Sequence, residues 1–74
     1  MDVAMTVENA FDALEKLAKG GTKPGDAIVV ECRSLEERES LKAAANSLLE
    51  KGLVRKVVGG GADRKELRVV IELN

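Results

Sequence analysis

Residues 26–58 read "DAIVVECRSLEERESLKAAANSLLEKGLVRKVV": a β-rich run, a helical run, then a second β-rich run. The first part, "DAIVVECR", is dense in β-branched residues, which fit a pleated surface. Its alternation places Ile28, Val30 and Cys32 on one face and Val29, Glu31 and Arg33 on the other. The period then changes. In "SLEERESLKAAANSLLEKG", Leu41, Ala44, Ala45, Leu48 and Leu49 recur at helical spacing. Ser34 and Glu37 predict a capping box, each side chain satisfying the other's free backbone N–H. Gly52 ends the helix, and Leu53 is placed to fold back on Leu48. The small alanines let this helix sit close to a sheet. "LVRKVV" is the second strand, so the segment is a β-α-β unit whose crossover is expected to be right-handed.

Working toward the C-terminus, "ELRVVIEL" (66–73) alternates cleanly. Leu67, Val69, Ile71 and Leu73 point inward, and Glu66, Arg68, Val70 and Glu72 outward. It returns from "LVRKVV" through residues 59–65, a connection longer than a two-residue hairpin. Toward the N-terminus, "TVENAFDALEKLAKGG" places Val7, Ala10, Phe11, Leu14, Leu17 and Ala18 in one apolar stripe. Thr6 caps its start and Gly20 its end. Asp12 with Lys16 and Glu15 with Lys19 are i,i+4 pairs. "TKPGD" reads as a type II turn with Pro24-Gly25 at its centre.

The expected fold is α+β: a two-layer sandwich spanning residues 1–74 as a single domain, in the order α-β-α-β-β. A short extra strand at "DVAM" turns that order into β-α-β-α-β-β. Both helices lie on one face of a mixed three- to four-stranded sheet. The other face is left open, carrying Val29, Glu31, Arg33, Arg68, Val70, Glu72 and one side of "VRK".

A 74-residue chain has little core to spare. It has one cysteine and no histidine, which excludes an intrachain disulfide and a zinc site of Cys and His ligands. Good packing or self-association is left as its support. The absence of Trp, Tyr, His and Gln fits a thermophilic or an engineered sequence. No apolar run reaches the roughly 20 residues of a membrane span. The acidic N-terminus does not read as a secretion signal, so a cytoplasmic location is expected.

Net charge is −1, but residues 1–50 carry six basic and ten acidic side chains, and residues 51–74 carry six basic and three acidic. The basic excess gathers around "GGGADRK", residues 59–65. A P-loop needs a strand-to-helix glycine loop ending in Lys-Ser/Thr. This loop runs strand to strand with no Ser or Thr after it, so phosphate-loop and dinucleotide-loop readings are excluded. The bland reading is a slack turn. The sharper one is a pliable basic arm in which Arg55, Lys56, Arg64, Lys65 and Arg68 follow a phosphate backbone. Phe11 is the only aromatic, so recognition of single strands by base stacking is disfavoured and duplex DNA or RNA is the expected nucleic-acid partner.

Cys32 could serve as a nucleophile or sulfur carrier, but its inward phase reads as a small buried hydrophobe, and no histidine exists to activate it. The carboxylates lie on solvated helix faces rather than in an apolar pocket. No catalytic residue, metal ligand or cofactor is assigned, and the chain is expected not to be an enzyme.

The element order, with "GDAIVVECR", the long helix, "LVRKVV", the glycine-bearing loop and "ELRVVIEL", resembles a two-layer arrangement. It is shared by the Alba chromatin proteins, the C-terminal domain of translation initiation factor three and the TusA-type sulfur carriers. The Alba resemblance implies a flexible basic hairpin arm that enters DNA, matched by Arg64 and Lys65. It also implies a lysine pair after the first strand, where this chain has "MTVE". The TusA resemblance implies a Cys-Pro motif at the first helix, where "TVENAF" stands instead. A rival resemblance links "LLEKGLVRKVVGGGADRKELRVVIEL" to the end of a MarR-type winged helix. That implies DNA contact by Arg64 and Lys65 and by Arg38 and Lys42 on the preceding helix, although one unbroken helix stands where a helix-turn-helix is needed.

The leading expectation is a small non-enzymatic nucleic-acid-binding module that uses the basic hairpin. The alternative is a protein-interaction or structural domain forming a homodimer through the exposed sheet face or edge, motivated by Val29 and Val70.

Overall fold

The structure is a computed structural model and describes residues 1–59 and 66–74. Six elements follow in the order β1 (Asp2–Met5), α1 (Val7–Ala18), β2 (Ala27–Glu31), α2 (Leu35–Glu50), β3 (Val54–Gly59) and β4 (Arg68–Leu73). The expected α+β two-layer class holds, and "DVAM" is the extra strand. The sheet has four strands in the order β1-β2-β4-β3. β1 pairs parallel with β2, and β4 pairs antiparallel with both β2 and β3. β4 thus slides between the two strands of the central β-α-β unit.

Each helix begins where a hydroxyl closes a free backbone donor. Thr6 Oγ1 accepts from the N–H of Asn9 at 3.1 Å, and Ser34 Oγ from the N–H of Glu37 at 3.2 Å. Only half of the expected capping box forms. The Glu37 carboxylate accepts from the N–H of Arg33 rather than that of Ser34, at 2.9 Å. The Arg33 guanidinium then bridges Glu37 at 2.6 Å and Glu8 at 2.5 Å, tying the starts of α1 and α2 together. This corrects the placement of Arg33 on the open sheet face: β2 ends at Glu31, before the alternation reaches it.

At the far end of α2, Gly52 takes the left-handed conformation (φ 79°), and the N–H of Leu53 donates to the carbonyl of Leu48 at 2.9 Å, the expected Schellman closure. The type II turn at Pro24-Gly25 does not form, because Gly25 lacks the positive φ that position requires. Gly25 serves close approach instead: a Cβ there would stand 2.6 Å from the carbonyl oxygen of Met1 and 2.7 Å from Val3. The N-terminal strand crosses directly over it.

The core joins Val7, Ala10, Leu14 and Leu17 of α1 to Leu41, Ala45 and Leu48 of α2, above Ile28, Val30, Val54, Val69, Ile71 and Leu73 of the sheet. Cys32 is buried among them, as its phase predicted. Phe11, Ala18 and Leu49, expected in the buried stripes, lie outside the core. Phe11 is 37% exposed, because α1 buries a narrow stripe at positions 7, 10, 14 and 17 and Phe11 sits a third of a turn beside it.

Candidate functional site

The helices cover one face of the sheet, and strand register assigns the residues of the other. Ala4 stands beside Val29, Val29 opposite Val70, and Val70 opposite Val58. These four form an apolar row that crosses every strand at one level. Residues directly opposed in a sheet share a face and touch, so the row is continuous. Val29 and Val70 are half-buried, and Val58 is 46% exposed.

A charged row flanks it on each side. On one side Asp2, Ala27, Glu72 and Lys56 follow one another across the sheet. A register shift between Val54 and Lys56 inserts Arg55, whose guanidinium reaches Glu72 at 2.7 Å. A shallow hollow of about 250 Å³ lies over Ala27, lined by Asp2, Asp26, Arg55, Val70 and Glu72. On the other side Glu31 faces Arg68, with Nε 2.6 Å from the carboxylate. Glu31 holds the guanidinium of Arg68 in its charged form and raises its pKa, first by the hydrogen bond and then by the nearby charge.

Of the five basic positions singled out in the sequence, Arg55, Lys56 and Arg68 stand on this open face. Arg64 and Lys65 lie outside the described residues. Arg55 and Arg68 are engaged by carboxylates. Among the described residues, Lys56 has no carboxylate within ion-pair distance, although it stands in register with Glu72.

Arg38 and Lys42, one turn apart on α2, turn toward the hairpin. Lys42 Nζ donates to the carbonyl of Gly59 at 3.0 Å, and Arg38 Nη1 to that of Glu66 at 2.8 Å. They fasten the two described ends of the β3–β4 connection to the helix. The Arg38 side chain is only 12% exposed, so it does not present itself to solvent as a winged-helix contact would. Gly59 leaves room for this fastening: a Cβ there would stand 3.5 Å from the Lys42 stem and 3.2 Å from Val69.

A second concavity, of about 430 Å³, runs between the free edge of β1 and α1, lined by Val3, Met5, Ala13, Asn9, Asp12 and Lys16 among others. Here Asp12 and Lys16 border the groove, while the pair predicted beside them, Glu15 with Lys19, closes at 2.9 Å. Burial pushes the Cys32 thiol above its ordinary pKa, with the charge of Glu37 adding to the effect, so the thiolate that a nucleophile needs is disfavoured. Among the described residues, no group of His, Cys, Asp and Glu could hold a metal ion, and no helix is long and apolar enough to cross a membrane.

The apolar row was only half legible in the sequence. Val29 and Val70 follow from alternation, but Ala4 and Val58 join them only through strand order and the register shift at Arg55. The chain matches no protein family, no curated protein and no solved structure.

Proposed function

We propose that this chain is a non-enzymatic protein-interaction domain that works through the open face of its sheet and associates with itself there. The observation that carries the reading is the apolar row Ala4–Val29–Val70–Val58, aligned across all strands and left uncovered by the helices. A small domain with a thin stability margin gains from burying such a row against a partner. Arg55 and Arg68, held by Glu72 and Glu31, act as walls of this row. The protonated, buried Cys32 thiol supports the non-enzymatic part of the reading.

Sedimentation equilibrium over a wide concentration range tests it. A monomer–dimer equilibrium that persists at moderate salt is expected, since apolar burial is not screened by ions. A monomer at every concentration overturns it.

A second reading keeps the basic hairpin as a nucleic-acid arm. Lys56, on β3 and with no ion-pair partner among the described residues, favours it, together with Arg64 and Lys65 in the sequence of the connection. Titration of labelled duplex DNA and RNA at low and moderate salt tests this reading. Steep loss of binding with salt, and further loss in Arg64→Ala/Lys65→Ala, is expected of an arm. No binding at low salt removes it.

A further inference from the structure

We infer that the partner on the open face is a second copy of this chain, docked face to face about a two-fold axis that runs parallel to the strands. This rests on the self-association proposed above and adds its geometry.

The charge pattern of the face selects this arrangement. Among the described residues, the strands of this face carry three acidic side chains, Asp2, Glu31 and Glu72, and three basic ones, Arg55, Lys56 and Arg68, which balance in charge. The charges are sorted across the sheet. β1 and β2 contribute Asp2 and Glu31, and β3 contributes Arg55 and Lys56. β4, which lies between β2 and β3, holds one of each sign in Glu72 and Arg68.

Two packed sheets keep their strands within about 30° of each other, so only two in-plane two-fold axes are simple to build. An axis along the strands places β1 over the partner's β3 and β2 over its β4, and keeps each row over itself. Asp2 then meets the basic pair Arg55 and Lys56 of the other copy, and Glu31 meets Arg68 twice over. The apolar row closes on itself, with the small Ala4 against the protruding Val58 and Val29 against Val70. The hollow over Ala27 receives the Arg55–Glu72 pair.

An axis across the strands instead places β1 over β1 and β2 over β2. It gathers the acidic halves of both copies together and opposes Ala27 with Glu31. The first arrangement sets opposite charges in register at Asp2 and at Glu31, whereas the second does so only between Glu72 and Arg68 and faces the acidic strands β1 and β2 with their own copies, so the first is favoured.

Within one chain Ala4 and Val58 stand on the two outer strands, about 14 Å apart at the usual strand spacing. Proximity between them is therefore a signal in trans. The experiment mixes Ala4→Cys protein with Val58→Cys protein, both in a Cys32→Ala background, and adds a short bis-maleimide that spans the roughly 10 Å between packed sheets. The mixture is expected to give a cross-linked heterodimer, with little cross-linking of either variant alone. Efficient cross-linking of Ala4→Cys alone, in a protein that sediments as a dimer, overturns the two-fold placed here and leaves self-association standing. A protein that neither cross-links in any combination nor dimerises in sedimentation overturns both.

A charge exchange gives a second readout that does not depend on cysteine chemistry. Asp2→Lys is expected to weaken dimerisation at least about 10-fold, and Asp2→Lys/Lys56→Asp to recover most of that loss. Failure of the double variant to recover, with folding intact by circular dichroism, contradicts the register.

Discussion

The two faces of this sheet are made from nearly the same residues and have opposite fates. On β2 and β4, Ile28, Val30, Val69 and Ile71 are wholly buried under the helices, while Val29 and Val70, interleaved with them, are half-buried on the open side. The covered face has an apolar residue at every described level except Gly59, where the Lys42 stem passes. The open face alternates an apolar row with charged rows, and its arginines are held against the carboxylates beside them. The covered face therefore reports on folding, and the open face on association. A substitution on one should leave the other's observable nearly unmoved.

The largest effect is expected on the covered face. Ile71→Ala or Leu41→Ala, both at sites with no exposure, should cost about 2–5 kcal/mol of stability in denaturant titration. A cost below about 1 kcal/mol would break the contrast between the faces. On the open face, Val70→Thr keeps shape and β-propensity, so monomer stability should move by less than about 1 kcal/mol while dimerisation weakens several-fold. An equal shift in both would blur the distinction.

A smaller effect sharpens the role of α2. Lys42→Ala removes the hydrogen bond to the Gly59 carbonyl and should cost about 1 kcal/mol. It should also speed amide exchange in β3 without touching β1, and uniform acceleration would argue against local fastening.

The smallest effect is set by pH. The carboxyls of Asp26, held by the N-terminal ammonium, of Glu37, held by Arg33, and of Glu15, held by Lys19, all lie below their ordinary pKa. Each binds fewer protons folded than unfolded in the acidic range. Their contribution is present above the usual carboxylate pKa and lost as pH falls through the lowered folded values. All three are solvated, so the melting temperature should fall only modestly between about pH 5 and about pH 3 from this source.

The elements were legible because each carries a local physical signature. Thr6 and Ser34 announce helix starts, Gly52 with Leu53 announces an end, and the alternation of residues 67–73 sorts its inward side chains correctly. Where a residue's environment depends on partners distant in sequence, local reading failed. Phe11 matches a helical stripe, but how wide a stripe α1 buries is decided by how it sits against α2 and the sheet. Arg33 continues a strand alternation, yet Glu8 and Glu37 draw it to the helix starts. Gly25 looked like a turn residue and is instead the place where Met1 and Val3 cross. The open face needed strand order above all. No periodicity in "DVAM" or "VRKVV" shows that Ala4 and Val58 end one row, because β4 inserts between strands that precede it in sequence.

The most direct measurement is sedimentation equilibrium of the parent chain beside Val70→Lys, which sets a charge in the middle of the apolar row. The parent should show a concentration-dependent dimer, and Val70→Lys should remain monomeric at the same concentrations with an unchanged circular dichroism spectrum. A parent that stays monomeric throughout, or a Val70→Lys protein that dimerises as readily as the parent, would contradict the account.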